Sequence, residues 1–178
     1  MTMTAKGRAG RLSMTSPVYA EVAEWLFEEA RLLDRNQFNE WLALLSPDLR
    51  YMMPVRETVG RGSGTGLATG YHHFEETIGS MTIRVRRVVE TTQFAEDPPS
   101  RTRRFVTNIM VRDDGDGGLE AGSNLLVLRS RFDSPTFDFI SCERTDTFRR
   151  VDEGLQLVTR DIAVDQAVLG TPNLAIFL

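Results

Sequence analysis

The sequence predicts an α+β fold: helices packed on one face of a curved antiparallel sheet. Two observations lead there. Apolar residues recur at helical spacing near the N-terminus, at Val18, Val22, Trp25, Leu26 and Leu33 and again at Phe38, Trp41, Leu42 and Leu45. Strand-like stretches then follow one another, punctuated by the turn runs Asp113-Asp114-Gly115-Asp116-Gly117-Gly118 and Asp152-Glu153-Gly154. The length sets the scale: 178 residues suit one domain. With no repeat and no linker, the expected division is a flexible tail over 1–15 and a single domain over 16–178.

The tail, MTMTAKGRAGRLSMT, is small, polar and basic and lacks the apolar core of a secretory signal. Met14 can equally serve as the start, which would make the preceding 13 residues an upstream extension. Ser16-Pro17 is a helix start, a hydroxyl N-cap followed by proline where a missing N–H costs nothing. This helix ends near Asp34, with Glu21, Glu24 and Glu28 on its other faces. Asn36 caps a second helix that Ser46-Pro47 terminates. Leu49–Val55 reads as a first strand, 60–70 as a flexible loop, and Tyr71–Met81 as a third helix capped by Thr69. Strands follow at 82–95, 103–112, 119–133, 137–150 and 155–165. Leu125-Leu126-Val127-Leu128 is apolar on both strand faces, so it is expected to be covered twice, by the helices and by another surface.

Composition removes several function classes. A net charge of −4 and a pI of 5.3 argue against a general nucleic-acid binder, which needs a basic surface to displace counterions. No apolar run reaches the ~20 residues of a membrane-spanning helix. The single cysteine, Cys142, excludes an intrachain disulfide and any multi-cysteine metal site, and a reducing, cytoplasmic compartment is the default expectation.

Candidate chemical motifs are few. The run GRGSGTGLATG fits no dinucleotide fingerprint and lacks the P-loop lysine. Asp113, Asp114 and Asp116 do not keep calcium-loop spacing, because glycine stands at position 5 counted from Asp114. His72-His73 is the one place an imidazole can act. Either both are packed or solvated bystanders, or one faces a pocket near Tyr51 or Asp48 as a general base. Cys142 reads as a buried structural thiol.

Arginine is the conspicuous residue. Of the 21 basic residues, Lys6 is the one lysine. Arginine pairs carboxylates through a planar fork, so ion-pair networks are expected within the chain or between subunits. Arg84, Arg86, Arg87, Glu96, Asp97, Arg101, Arg103, Arg104, Arg144 and Asp146 are the candidate subunit-interface residues.

Taken together, several segments resemble the small (β) subunits of aromatic ring-hydroxylating dioxygenases, the Rieske non-haem iron oxygenases. They are Glu29-Ala30-Arg31-Leu32-Leu33-Asp34, Phe38…Trp41-Leu42…Leu45 and Asp48-Leu49-Arg50-Tyr51-Met52-Met53-Pro54-Val55-Arg56, with Arg129-Ser130-Arg131 and Arg160-Asp161-Ile162…Asn173-Leu174. The most specific is Ala95-Glu96-Asp97-Pro98-Pro99-Ser100-Arg101-Thr102-Arg103-Arg104-Phe105-Val106-Thr107-Asn108. The resemblance implies a cone-shaped fold similar to nuclear transport factor 2 and scytalone dehydratase, and an α3β3 hexamer. It further implies that an α subunit carries the Rieske 2Fe–2S cluster and the mononuclear iron. That subunit would cis-dihydroxylate an aromatic hydrocarbon or acid with O2, using NADH-derived electrons passed by a reductase or ferredoxin. The β chain would be non-catalytic, with no catalytic, cofactor-binding or metal-binding residue of its own. The ligand count agrees, since a Rieske centre takes two cysteines and two histidines. A second reading comes from the same fold: a stand-alone, cofactor-free dehydratase or isomerase with Asp48, Tyr51, His72 and His73 lining its pocket.

Overall fold

The computed structural model describes residues 10–90, 98–113, 117–152 and 154–178. Its elements are β1 (Gly10–Arg11), α1 (Pro17–Asp34), α2 (Phe38–Leu42), β2 (Leu45–Arg56), β3 (Leu67–Thr77), α3 (Ile78–Val89), β4 (Arg101–Asp113), β5 (Gly118–Ser130), β6 (Asp138–Val151) and β7 (Gly154–Val164). The strands form one open sheet in the order β1-β4-β5-β6-β7-β2-β3. Neighbours run antiparallel except β7 and β2, which are parallel. Register shifts in β2, β4 and β7 add the local twist that curls such a sheet around its helices.

Helix α1 starts as its sequence demands, with Ser16 extended at the N-cap and Pro17 in the first turn. Val22, Leu26 and Leu33 are buried against the sheet, and the Trp25 indole N–H donates to the Leu155 carbonyl at 3.0 Å. Asn36, expected to cap α2, instead closes α1, and Gln37 stands at the start of α2. At φ 57° Asn36 lets its own N–H reach the Leu33 carbonyl and the Gln37 N–H reach the Leu32 carbonyl, a paired C-terminal cap. Helix α2 is then one short stretch, because Leu45 already belongs to β2 and the Leu157 N–H is taken by the Leu44 carbonyl. Sheet pairing here overrides the helical spacing that ran on to Leu45.

The region 71–90 also differs from expectation, and 91–95, the rest of the strand expected over 82–95, lie outside the described residues. Residues 71–77 are strand and 78–89 are helix, the reverse of the order read from sequence. The helix start is a capping box at Thr77 and Ser80, each side chain bonding the other's main-chain N–H. The β-branched residues of 83–89 suggest a strand. Yet Ile78, Met81, Val85 and Val88 keep a helical stripe, of which Met81 and Val85 are fully buried. The loop before β3 closes where the Glu57 N–H meets the Gly66 carbonyl, and a side chain on Gly66 would stand 2.9 Å from the Glu57 carbonyl oxygen. Of the segment 1–15 expected as a flexible tail, 1–9 lie outside the described residues, Gly10–Arg11 pairs with β4, and the Leu12 N–H donates to the Val111 carbonyl. The later strands agree with the sequence within a few residues, and β4–β5 and β6–β7 are the hairpins expected. Within those turns, 114–116 and 153 lie outside the described residues.

The core lies between α1 and the inner sheet face, with Leu125, Val127, Ile140, Leu157, Ile162 and Val164 among its buried residues. Residues 171–178 have no regular structure, yet Ile176, Phe177 and Leu178 are buried inside the same core.

Asn36→Val should lower stability by about 1–2 kcal/mol, the cost of a left-handed backbone for a side-chain-bearing residue, whereas Asn36→Gly should not. Urea denaturation of the two variants checks this.

Candidate functional site

The inner face of β6 alternates strictly: Ile140, Cys142, Arg144, Asp146 and Phe148 all point into the core. Two charges therefore sit mid-strand in the interior, with Arg144 1% and Asp146 0% exposed. Glu29 reaches them from α1 and Arg160 from β7. The guanidinium of Arg160 grips both carboxylates two-pronged. Nε and Nη2 donate to Asp146 at 2.8 and 2.8 Å, and Nη1 and Nη2 donate to Glu29 at 2.6 and 2.9 Å. Nη1 donates once more, to the Leu178 oxygen at 2.9 Å, so every N–H of this arginine is used. Glu29 is as fully engaged, taking also Arg144 Nη1 and Trp41 Nε1, both at 3.1 Å. Tyr51 completes the wall: its hydroxyl donates to the Leu178 oxygen at 2.6 Å and accepts from the Leu178 N–H.

Two arginines and two carboxylates make this cluster neutral. Burial alone would push the Glu29 carboxyl up, but the charges of Arg160 and Arg144 and the hydrogen bonds from Arg160 and Trp41 hold it below its ordinary value. Burial likewise works against the charge on Arg160, and Asp146 and Glu29 overturn that and raise it. Burial raises the Tyr51 phenol, and it pushes the Cys142 thiol up to about 11, so that thiol is no nucleophile near neutral pH.

A second ion pair holds the end of α1 to β4. Asp34 accepts from Arg104 Nη1 at 2.6 Å, from the Arg104 N–H at 2.9 Å and from Thr102 Oγ1. Arg104 Nη2 continues to the Phe177 carbonyl at 2.6 Å. Other arginines hold the same terminal segment. Arg129 donates to the Asn173 carbonyl and side chain and to Thr171, and Arg84 donates to the Leu174 carbonyl while stacked 4.1 Å over Phe74.

These contacts revise the expected interface set. Arg144, Asp146 and Arg104 are buried within their own chain and so are not surface contacts, and Arg84 is mostly engaged inside as well. Arg86, Arg87, Arg101 and Arg103 remain at the surface. Arg101 donates to the Phe132 carbonyl at 2.6 Å, and Arg103 approaches Asp34 at 4.0 Å. Glu96 and Asp97 lie outside the described residues.

The four residues of the enzyme reading are not gathered in one pocket. Asp48 is exposed and paired with Arg149 at 2.8 Å, while Tyr51 is buried in the cluster wall. His72 lies on β3 with Nδ1 3.5 Å from Glu75, and His73 is the extra residue where the β2–β3 register slips. Among the described residues, no three His, Cys, Asp or Glu side chains are grouped to hold a metal ion.

The outer sheet face is different in kind. Phe105 lies opposite Leu126 and Leu128 opposite Phe139, and Phe105, Leu126 and Phe139 are 47%, 37% and 55% exposed. Phe137, also exposed, extends the patch, and Arg101 and Arg103 border it. The expectation that 125–128 is covered on both faces thus holds on the inner side, where Leu125 and Val127 are buried.

Glu29 and Arg160 stand in the segments that carry the family resemblance, but neither was among the candidate site residues. Glu29 had a signal: it stands three and four residues beyond Leu26 and Trp25, inside the apolar stripe. Arg160 alternates with Ile162 and Val164, but a one-residue slip at Val158 breaks the alternation from Leu155 and Leu157 that would have marked its face as the inner one.

Fold and interior together define an α+β cone protein whose interior is filled by its own ion pairs and its own terminal segment. Comparisons place it further. The family described as "Ring hydroxylating beta subunit" matches residues 28–171. The chlorobenzene dioxygenase subunit beta of Cupriavidus sp. (strain PS12) is 36% identical over 163 residues, covering 88% of this chain and 87% of that one. The naphthalene 1,2-dioxygenase structure with indole bound superposes with a TM-score of 0.79 at 25% identity, over 89% of this chain and 84% of that chain. A protein of Novosphingobium aromaticivorans assigned as a scytalone dehydratase shares the fold, with a TM-score of 0.63 at 13% identity over 84% and 85% of the two chains. The chain belongs to the ring-hydroxylating dioxygenase β subunit family.

Glu29→Gln should cost about 3–5 kcal/mol in urea denaturation, because it leaves two buried arginines facing one carboxylate. The sign with pH follows from the lowered Glu29 carboxyl. Its contribution is intact above about pH 4.3, where an unfolded glutamate titrates, and is lost as pH falls through the lower folded value. Stability measured against pH should therefore drop on the acid side in the native protein, and less steeply in Glu29→Gln.

Proposed function

We propose that this chain is the non-catalytic β subunit of the terminal oxygenase of an aromatic ring-hydroxylating dioxygenase. It supports an α subunit that cis-dihydroxylates an aromatic hydrocarbon or aromatic acid. The observation that carries this is the partition of the sheet. The inner face, where a cone enzyme would hold substrate, is occupied by the Glu29–Arg160–Asp146–Arg144 cluster and by residues 176–178, while the outer face is left apolar. A polar-rimmed apolar patch of this kind is characteristic of an interaction surface. The family supplies the rest of the reading: an α3β3 hexamer, with Rieske 2Fe–2S and mononuclear iron on α, and a ferredoxin or reductase delivering electrons in the cytoplasm. The donor set here does not fit those iron centres. One cysteine falls short of the two that a Rieske cluster requires, and the two histidines are neighbours on an edge strand.

In this reading the arginines divide into internal staples and rim residues. Phe105→Lys combined with Leu126→Asp, which places opposite charges across the strand pair, should abolish co-purification with the co-expressed α subunit while leaving the midpoint of unfolding of the isolated chain nearly unchanged, since both residues are solvent-facing. Co-purification at unchanged stoichiometry would sink the outer-face reading. Arg103→Ala should weaken the complex and spare the isolated chain, whereas Arg104→Ala should destabilise the isolated chain itself. Replacing both His72 and His73 by Gln should cost the assembled, iron-replete complex less than about tenfold in kcat, below the ~10²–10⁴ of a lost general base.

A further inference from the structure

Strand β4 carries Arg101 and Arg103 on the outer sheet face, two residues apart along the strand and therefore on the same side, ~7 Å from each other. They border an open recess of about 390 Å³ whose other walls are Thr102, Leu128, Ser130 and Phe137. Unlike the guanidiniums that staple the interior, these two have donors to spare. Arg101 donates through Nη2, to Ser130 Oγ at 3.1 Å and to the Phe132 carbonyl at 2.6 Å, which holds the side chain in place. Among the described residues no carboxylate lies within 4.0 Å of it. The Arg103 side chain is 71% exposed, and the one carboxylate near it among the described residues, Asp34, stands at 4.0 Å, too far for a hydrogen bond. Asp34 is already committed: it accepts from the Arg104 guanidinium, the Arg104 N–H and Thr102 Oγ1.

We propose that this recess docks an acidic segment of the α subunit, which sets a side-chain carboxylate against Arg101 and Arg103 and an adjoining apolar side chain against Leu128 and Phe137. The proposal rests on the outer-face reading above and names the chemistry of the partner there. Charge calls for the carboxylate. A guanidinium has only donors, so the open N–H groups of both arginines need an acceptor, and a carboxylate matches the planar fork with two parallel bonds. The apolar neighbour follows from the floor of the recess. Leu128 lies opposite Arg103 on one side and Phe139 on the other, and Phe137 is 61% exposed, so a purely ionic partner would leave this carbon surface in water. Arg101 also enters the contact already ordered by Ser130 and Phe132, which reduces the side-chain freedom lost on docking.

The test uses the full chain co-expressed with its α subunit and the variant Arg103→Lys. The variant keeps the positive charge and supplies an amine, which a zero-length carbodiimide joins to a carboxylate in contact with it. Arginine does not couple in this way, and the native chain has a single lysine, Lys6. Mass spectrometry of the treated complex should find the peptide that holds position 103 joined to an aspartate or glutamate of α, and the native complex should give no link there. A link to Asp34 alone would make Arg103 a solvated charge of its own chain and would overturn the proposal. A link to a second copy of this chain, or no link, would overturn it as well. Arg103→Glu, which sets like charges against each other, should weaken co-purification at least about tenfold and leave the unfolding midpoint of the isolated chain nearly unchanged; unaltered co-purification would count against the site. The pair Phe105→Lys and Leu126→Asp separates this inference from the reading beneath it. If that pair abolishes the complex while position 103 gives no link to α, the outer face stands and the acidic partner falls. If neither variant affects assembly, the outer-face reading falls with it.

Discussion

Glu29 and Arg160 use up each other's capacity, and the rest of the interior is arranged around that fact. A guanidinium has five N–H donors and a carboxylate about four acceptor positions. Arg160 spends its donors on Glu29, Asp146 and Leu178, and Glu29 accepts from Arg160, Arg144 and Trp41. Such a cluster tolerates little displacement. Intact, it does roughly as well as an apolar filling of the same shape; with one member removed, it leaves an uncompensated charge in the core. It fixes α1, β6 and β7 in one mutual register.

The same chemistry explains how an irregular terminal segment can lie in a core. Residues 171–178 have no sheet or helix partners for their main-chain groups, and buried carbonyls must find donors elsewhere. Arg129, Arg84, Arg104 and Arg160 supply them at Asn173, Leu174, Phe177 and Leu178. Lysine has a single ammonium and could not hold a carboxylate and a carbonyl in fixed directions at once. The near absence of lysine from the chain fits this use, in which arginine stands in for missing secondary structure.

The interior of this cone is filled rather than left open. A cone that holds substrate needs an accessible cavity with titratable groups converging on it. Here the converging groups neutralise one another, Tyr51 is hydrogen-bonded to Leu178, and the histidines stand on an edge strand. What the sheet offers outward instead is Phe105, Leu126, Leu128 and Phe139, bordered by arginine.

The sequence by itself determined the fold class, the α1 boundaries and the strand order in the C-terminal half, because these rest on local signals: Ser16-Pro17, the α1 stripe and the Asp/Gly turns. The residues of the family pattern were legible for the same reason. Tertiary structure decided the rest. Whether 71–77 or 78–89 is the helix depended on pairing with β2 and on the Thr77–Ser80 cap, against the β-branched composition of the helix. Whether Arg144, Asp146 and Arg104 face a partner or the core depended on which sheet face each strand presents, and a mixed run of arginine and carboxylate reads the same either way. Glu29 interrupts an apolar stripe and was readable in principle. Arg160 enters the core through a bulge that shifts the side-chain alternation by one, and a bulge is set by strand pairing across the sheet rather than by the residues within the strand.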